Sequence, residues 1–301
     1  MLGPILACLV FWLLCLANAL FSKSGAHGRL ASFVVSIVLF FELVTLLKET
    51  ASWKDGLKFV KTYDGICITA CSEEIREGRI REVKIPQRIR GEAVTSIGDE
   101  VFSSCYKLTS VEIPEGITSI GNRAFYYCSN LKSVMIPSSV TSIGNEVFCY
   151  CKSLTSVDIP EGISKIGDSM FYGCESLTSI EIPPSVTNIG EKAFFECESL
   201  TGIEIPSSVK SIGNEAFCYC KSLTSVDLPE GVSKIGDSVF YGCDTLTGIE
   251  IPSSVTNIGE QAFSSARGKQ KVIIYSGTEK DWDTIRMGSE NDNIVLIFRT
   301  D

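Results

Sequence analysis

Thiols are the most reactive side chains that recur at a fixed interval in this 301-residue sequence. Seven of them, one in each of seven successive units, are Cys105, Cys128, Cys151, Cys174, Cys197, Cys220 and Cys243, called here the cysteine ladder. On neighbouring strands ~4.8 Å apart, such cysteines could form disulfides. However, seven thiols cannot all pair, and zinc needs ligands that converge on a point rather than stand in a line. The pattern therefore favours free thiols buried in a core.

Other cysteines depart from this spacing. Cys149 and Cys218 each come directly after a repeated phenylalanine, where we expect the side chain to lean outward. Such thiols are either reactive or ordinarily exposed, and ordinary exposure is favoured. Cys67 and Cys71 can form a bridge only if the three residues between them make a turn.

Histidine is nearly absent, since His27 is the one histidine of the chain. It lies between two apolar segments, far along the chain from the repeated cysteines. Without a second histidine, a Ser-His-Asp, Cys-His or zinc-dependent arrangement would have to be built around this linker residue. The sequence therefore predicts no catalytic residues, no cofactor and no metal site, and we expect a protein that is not an enzyme.

Acidic residues form a second regular series. They stand at the position between two apolar strand residues, next to a series of threonines, and they form the candidate partner-binding site. This acidic row comprises Glu112, Asp158, Glu181, Glu204, Asp227 and Glu250, with Met135 in place of an acid in one unit. A row of carboxylates is either a merely soluble surface or a face that a basic partner or divalent cation would cover, because such a ligand relieves several repulsions at once.

The net charge of the chain is −9, and residues 94–265 hold 21 acidic and 9 basic side chains, a net of −12. A surface of this sign repels a phosphate backbone. The charge therefore argues against nucleic acid as a partner.

Aromatic residues follow the repeated phenylalanine by one or two positions. Side chains with this placement either form a binding strip along one edge or pack between successive units with their hydroxyls in water. The sequence favours neither interpretation. The aromatic strip comprises Tyr126, Tyr127, Tyr150, Tyr172, Phe195, Tyr219 and Tyr241.

These residues are placed by a 23-residue repeat that begins near Ile97. Ile-Gly pairs start eight successive units, a phenylalanine stands at a constant position after each isoleucine, and most units end on an apolar-x-apolar-Pro step. A period in this range is typical of a stacked solenoid, in which no single unit can bury its own apolar face. The segments 142–194 and 211–263 agree at 44 of 53 positions, which indicates a duplication of three whole units.

Each unit is predicted to form one coil. The stretch 154–159 alternates apolar and polar residues as a short strand does, and Pro160 ends that strand because it has no N–H to donate. The Asn or Asp after each Gly is expected to cap a short helical turn. We predict nine parallel strands in one sheet, with one buried column formed by Val111, Val134, Val157, Ile180, Ile203, Val226 and Ile249.

The pattern degrades toward both ends of the array. Five extra residues before the first Ile-Gly pair indicate that residues 57–93 form an N-terminal cap, followed by the repeat array at 94–265. Val272 and Ile274 fall one repeat length after the inward pair of the last unit, so we expect them to continue the strand register. Residues 266–301 are predicted to form the C-terminal cap.

Two apolar stretches, residues 2–21 and 30–47, open the chain. Both approach the ~20 residues that a membrane-spanning helix needs. Residues 1–50 are therefore predicted to form a membrane anchor of one or two transmembrane helices that contacts the lipid bilayer through residues 2–47, and the first stretch could instead be a signal peptide. Lysines after the second stretch favour a cytoplasmic repeat region.

The repeat resembles the BspA-like leucine-rich repeats, whose unit is similar to L-x-x-[IV]-x-[IL]-P-x-x-[VI]-x-x-I-G-x-x-[AV]-F-x-x-C. The resemblance covers about residues 57–301, including Tyr63-Asp64-Gly65 near the start and Gly277-Thr278-Glu279 near the end. It implies the α/β fold class, with a right-handed β-α solenoid in a horseshoe, and no catalytic residues. It also implies adhesion or protein binding at the cell surface, including host-surface proteins. The alternative is a cytoplasm-facing membrane scaffold, which unpaired cysteines favour.

Overall fold

A computed structural model describes residues 51–265, 267–268, 270–291 and 293–299, with the side chains of Ala51 and Ser52 excepted. The predicted membrane anchor at residues 1–50 lies outside the described residues. Within the described part of the chain, no helix is both long enough and apolar enough to cross a bilayer.

The described residues form short strands and two helices of one turn each. In chain order, the elements are β1 (Ala51–Lys54), β2 (Leu57–Lys61), β3 (Ile66–Cys71), α1 (Glu73–Arg76), β4 (Glu82–Lys84), β5 (Arg88–Ile89), β6 (Glu92–Ile97), β7 (Ser110–Glu112), β8 (Ser119–Ile120), β9 (Ser133–Met135), β10 (Ser142–Ile143), β11 (Ser156–Asp158), β12 (Lys165–Ile166), β13 (Asn188–Ile189), β14 (Gly202–Glu204), β15 (Ser211–Ile212), β16 (Ser225–Asp227), β17 (Lys234–Ile235), β18 (Gly248–Ile251), β19 (Asn257–Ile258), β20 (Lys271–Tyr275), α2 (Glu279–Trp282), β21 (Arg286–Met287) and β22 (Ile294–Phe298).

Strands of successive coils pair in parallel along two ribbons. The wide ribbon consists of β4, β7, β9, β11, β14, β16, β18, β20 and β22. Of these, β22 was not predicted, and the strand predicted around Ile180 is reduced to an isolated bridge at Glu181. The narrow ribbon runs through the Ile-Gly pairs and continues from β6 through β8, β10, β12, β13, β15, β17 and β19 to β21. In the array, paired residues occupy equivalent positions of successive units, as in the pairing of Val111 with Val134. The repeat period is therefore one full coil, as predicted.

The prediction of a single sheet was wrong. The wide ribbon consists of a four-stranded and a five-stranded sheet, and Glu181 joins the second only through an isolated bridge to Glu204. The narrow ribbon, which was not predicted as strand, divides between β10 and β12 at the same coil junction. The predicted buried column is confirmed, because all seven of its residues are at most 8% exposed.

The solenoid is present, but the prediction of a helical segment in each coil was wrong. Turns occupy that segment throughout residues 94–265. Backbone N–H groups of Arg123, Phe125 and Tyr127 donate to carbonyls of the next coil at 2.8–3.0 Å. Arg123 and Tyr127 also adopt left-handed conformations, with φ of 54° and 58°. An α-helix needs right-handed residues and N–H groups that bond within the segment. Bonding between coils therefore replaces the helix.

The Asn or Asp after each Gly has a different role from the predicted helix cap. Its Oδ1 accepts a hydrogen bond from the backbone N–H of the corresponding residue one coil later. Asn122 accepts from Asn145 at 2.8 Å in this way, and Asp237 accepts from Glu260 at 2.9 Å. We call this series the Asx ladder, comprising Asp99, Asn122, Asn145, Asp168, Asn214 and Asp237.

The core is a continuous column between the two ribbons and the turns. Eight phenylalanines stack with ring centroids 5.3–6.1 Å apart and planes within 12° of parallel, from Phe102 to Phe263. Each is at most 1% exposed. Because every ring packs against a ring of another coil, the core belongs to the stack and not to any one unit.

The two ends of the array close differently. At the start, β2 and β3 form an antiparallel hairpin, and β3 pairs in parallel with β6 of the narrow ribbon. At the other end, β20 pairs with β18 one residue out of the repeat register, so Ile249 lies beside Ile273. The prediction that Val272 and Ile274 point inward was therefore wrong, because a longer loop after Phe263 shifts the strand by one residue. Ile273 and Tyr275 are buried instead.

Candidate functional site

The acidic row lies on the outer face of the wide ribbon. Parallel pairing places Glu204 beside Asp227 and Asp227 beside Glu250, while Glu112 and Asp158 each pair with Met135. All six carboxylates point away from the core, and each is exposed except the half-buried Glu250. The structure thus places every predicted row residue on one face, with Met135 as an apolar interruption that is 77% exposed.

The two ends of the acidic row are paired with cations that the sequence analysis did not identify. Lys84 contacts Glu112 at 2.6 Å, and Arg299 contacts Glu250. Lys84 belongs to the strand Glu82-Val83-Lys84, whose polar-apolar-polar pattern matches the strands of the array. That pattern in the sequence could have predicted that Lys84 lies next to Glu112 on the same face.

The centre of the row has no such partner. Asp158, Glu181, Glu204 and Asp227 form no salt bridge with any described residue. Two unit charges ~4.8 Å apart repel by about 0.9 kcal/mol in water, and flexible exposed side chains and salt reduce that repulsion further. The repulsion is small enough for the fold to tolerate, yet it makes this face attractive to positive charge.

Beside the acidic row runs a series of threonines that have a structural role. Four of their hydroxyls, those of Thr109, Thr155, Thr201 and Thr224, donate to the backbone carbonyl of the preceding coil, at 2.9 Å from Thr224 to Thr201 and 3.2 Å from Thr155 to Lys132. These side chains therefore help to join the coils. The carboxylates beside them remain the freely available polar groups of this face.

The row is linear, and its carboxylates do not converge. In the described part of the chain, no group of three or more His, Cys, Asp or Glu residues is placed to hold a metal ion. A row of this kind suits a partner that extends along the face and carries several positive charges.

The cysteine ladder lies in the core beside the phenylalanine stack. Each thiol from Cys128 to Cys243 donates to the carbonyl of a core phenylalanine 26 residues earlier, at 3.0–3.2 Å. Burial raises the pKa of the Cys151 and Cys174 thiols well above the ordinary value. A thiol must lose its proton to attack or to bind a metal. The ladder is therefore placed for packing and backbone hydrogen bonding.

One cysteine pair differs from the rest. The sulfur atoms of Cys71, at the end of β3, and Cys105, the first residue of the ladder, lie 3.5 Å apart. The pKa of Cys71 is lowered to about 7, chiefly by the hydrogen bond with the Cys105 thiol and, to a smaller extent, by Arg76. A bridge between Cys71 and Cys67 required a turn between them, and the structure has a strand there instead, so that condition is not met.

The prediction that Cys149 and Cys218 lean outward was wrong. They are 4% and 3% exposed, and burial raises the pKa of each thiol to about 12. Their backbone N–H groups donate within the turn, Cys149 to Glu146 at 3.2 Å and Cys218 to Glu215 at 3.1 Å. Neither thiol is therefore accessible as a nucleophile.

The aromatic strip forms a continuous series of ring contacts. Tyr127 and Tyr150 lie 4.4 Å apart, Tyr150 and Tyr172 5.0 Å, and Tyr172 and Phe195 4.6 Å, all between ring centroids. The rings are half-buried, except the buried Phe195. Packing between coils thus accounts for much of the surface of these rings.

The spacing of coils, core phenylalanines and buried cysteines corresponds to a known repeat. The BspA type Leucine rich repeat region matches residues 76–201 and 187–280, with six copies. The chain belongs to this family. BspA-type leucine-rich repeat proteins generally bind protein partners, and they are typically not enzymes. No curated protein sequence matches the chain.

Two solved structures of other leucine-rich repeat proteins have a similar fold, with TM-scores above 0.5. The T. pallidum Leucine Rich Repeat protein is 30% identical and gives a TM-score of 0.59, covering 65% of this chain and 90% of its own. A leucine-rich repeat protein from Bacteroides ovatus ATCC 8483 is 28% identical with a TM-score of 0.70, covering 83% and 71%. A leucine rich cell surface protein from Faecalibacterium prausnitzii A2-165 is 27% identical with a TM-score of 0.39, covering 79% and 98%.

Proposed function

We propose that this BspA-type protein is anchored in a membrane through residues 2–47 and binds a basic protein partner at the cell surface through its acidic row. The observation that carries the proposal is the run of carboxylates without salt bridges to described residues at Asp158, Glu181, Glu204 and Asp227. Membership of a family that generally binds proteins supports a binding role. The proposed role is adhesion or protein binding without catalysis.

Electrostatics determines what this face can contribute to binding. Complementary charge mainly speeds encounter and selects the partner, rather than supplying most of the affinity. Binding should therefore weaken steeply as the salt concentration rises, because exposed charges are screened. The array also contributes rigidity, since its strands fix the backbone positions from which the carboxylates extend before the partner arrives.

The test compares two variants of the full chain that remove the same number of charges. The first carries Glu181→Gln, Glu204→Gln and Asp227→Asn, and the control carries Glu74→Gln, Glu196→Gln and Glu260→Gln, away from the wide ribbon. Binding to immobilised poly-L-lysine is measured at low and high salt. We expect the row variant to lose about tenfold in affinity at low salt and to show a shallower salt dependence.

We expect the control variant to bind as the unchanged chain does. If both variants lose the same affinity, the protein attracts the probe through its net charge and the row is only a solvated surface. Circular dichroism spectra that match the unchanged chain establish that each variant is folded.

Membrane orientation separates this proposal from a cytoplasm-facing scaffold, which free thiols and the lysines after residue 47 favour. Lys107 and Lys132 are exposed lysines of the described repeat region. A membrane-impermeant amine reagent applied to intact cells should modify them if the repeats are extracellular. Modification only after the cells are opened would support the scaffold instead.

A further inference from the structure

Among the described strands, β22 is the last of the wide ribbon, and one of its two edges pairs with none of them. Its other edge pairs with β20. Its five residues are Ile-Val-Leu-Ile-Phe, with no charge, proline or bulge. Proteins usually protect such an edge, because its unpaired backbone groups can bond to a strand of another chain.

The opposite end of the ribbon shows the contrast. The terminal strand there, β4, is three residues long and carries Glu82 and Lys84 on either side of the buried Val83. Short length and exposed charge are the usual protection of an edge strand. Strand β22 is longer and carries no charge, so only the β4 end of the ribbon has these protective features.

Strand geometry identifies the backbone groups that β22 presents. Asn293 accepts from Lys271, and Arg299 donates to Tyr275, so these two residues face β20. Alternate residues of a strand direct their N–H and C=O groups to opposite edges. The N–H and C=O groups of Ile294, Leu296 and Phe298 consequently point to the free edge, symmetrically about Leu296.

The side chains of β22 are also unusually apolar for a surface strand. Val295 and Ile297 point outward and are 39% and 48% exposed. They lie beside the half-buried Val272 and Ile274 of β20, so four apolar side chains form one patch. In the acidic row, the corresponding position is occupied by carboxylates. The outer face of β20 and β22 therefore presents an apolar surface that can contact another apolar surface.

We propose that β22 pairs in antiparallel orientation with β22 of a second copy of this chain. The twofold axis passes beside Leu296, so Ile294 of each copy opposes Phe298 of the other. The residues that point to the free edge are then the hydrogen-bonded pairs of an antiparallel ladder. Val295 of one copy opposes Ile297 of the other on the outer face, which makes two β-branched cross-strand pairs.

The occupant is a second copy because the strand is complementary to itself in this orientation. A twofold contact requires one patch to match itself, and the symmetry about Leu296 provides that match. On the outer face, antiparallel pairing places Val295 of each copy against Ile297 of the other, so the exposed apolar side chains of the two copies match.

The test measures the association of the full chain in detergent by sedimentation over a range of concentrations. One strand pair is a small interface, so we expect a dimer with a Kd on the order of 10 µM. Val295→Lys and Ile297→Lys should each raise the Kd about tenfold or more, because a twofold dimer contains each change twice. Met135→Lys is the matched control, since Met135 is an exposed apolar residue of the same ribbon, and it should leave the Kd unchanged.

A second experiment reports the register. Val295→Cys combined with Ile297→Cys should form a disulfide-linked dimer under mild oxidation, and each disulfide forms with loss of two protons and two electrons to one molecule of added diamide, which becomes its hydrazine. Either single variant should form no such dimer, because each cysteine then faces an aliphatic residue. Monomers at all concentrations, or a dimer unchanged by both lysine variants, would overturn the proposal. If a lysine variant fails to fold, Val295→Thr and Ile297→Thr keep strand propensity and provide the same comparison.

Discussion

At the scale of single residues, the thiols show how burial turns a reactive group into a structural one. Cys128 donates to the carbonyl of Phe102 at 3.1 Å, and the same contact recurs in each coil up to Cys243. Burial is the largest cause of the raised pKa of Cys128, Cys151 and Cys174. The regular spacing of cysteines was therefore correctly interpreted as core packing, whereas the accessibility of Cys149 was not.

The raised pKa of six ladder thiols predicts a loss of stability at alkaline pH; these are Cys105, Cys128, Cys151, Cys174, Cys197 and Cys220. Unfolded thiols ionise near pH 8.5, whereas the folded chain keeps these thiols protonated. The stabilisation is complete below the unfolded pKa and decreases as pH rises toward the folded pKa. Each buried thiol should remove up to about 1.4 kcal/mol from the free energy of unfolding per pH unit above about 9. Urea unfolding under reducing conditions between pH 7.5 and 10 measures this slope.

The matched variant for that prediction is Cys151→Ala. The variant should lose less free energy of unfolding per pH unit than the unchanged chain, and the difference should equal the contribution of one thiol. The reason is that the unfolded variant has one fewer thiol to ionise, whatever the effect of the substitution at neutral pH. A slope that does not change would mean that the ladder thiols titrate alike in the folded and unfolded chain.

At the scale of elements, the turn segment is determined by hydrogen bonds between coils. The Asx ladder supplies an acceptor for a backbone N–H that points along the stack, as Asp99 does for Asn122 at 2.7 Å. The same side chains at the start of a helix would bond to their own turn. The sequence shows that an Asn or Asp is present, but the neighbouring coil determines which backbone N–H donates to its Oδ1.

Asn122→Ala should destabilise the array, because it removes the acceptor for the backbone N–H of Asn145. We expect a loss of about 0.5–1.5 kcal/mol in the free energy of unfolding, since the site is partly open to water. Asn122→Asp is the control, because Asp occupies the equivalent position in Asp168 and Asp237 and retains Oδ1. Urea unfolding of the three proteins gives the comparison. Equal losses in the Ala and Asp variants would contradict the role of the ladder.

At the scale of the whole molecule, stability is distributed along a one-dimensional stack. Each coil contacts its neighbours through strand pairing, the phenylalanine stack and the turn bonds, and these contacts repeat at the same interval. A stack of this kind gains or loses whole units without a change in the geometry of the remaining coils. The duplication of 142–194 in 211–263 is consistent with that property.

Deletion of residues 142–210, three whole coils, should therefore yield a folded protein. Thr141 then continues directly into Ser211, which occupies the position of Ser142. We expect a similar circular dichroism spectrum per residue and a smaller dependence of unfolding on urea, by about a quarter, because less surface is exposed. A shorter deletion that ends in the middle of a coil is the control, since it breaks the register of the repeat and should not fold. Failure of the in-register deletion alone would show that the coils are not equivalent.

The sequence by itself determined the period of the coil, the buried strand column and the placement of the acidic row on one face, because burial alternates along a strand and identical units must stack in register. It did not determine the narrow ribbon, the turns in place of helices, the shifted register of β20 or the burial of Cys149. Those features depend on backbone groups that bond to another coil. A two-residue strand such as β8 has no periodicity of its own to detect. Likewise, the free edge of β22 exists only because the stack ends there among the described strands.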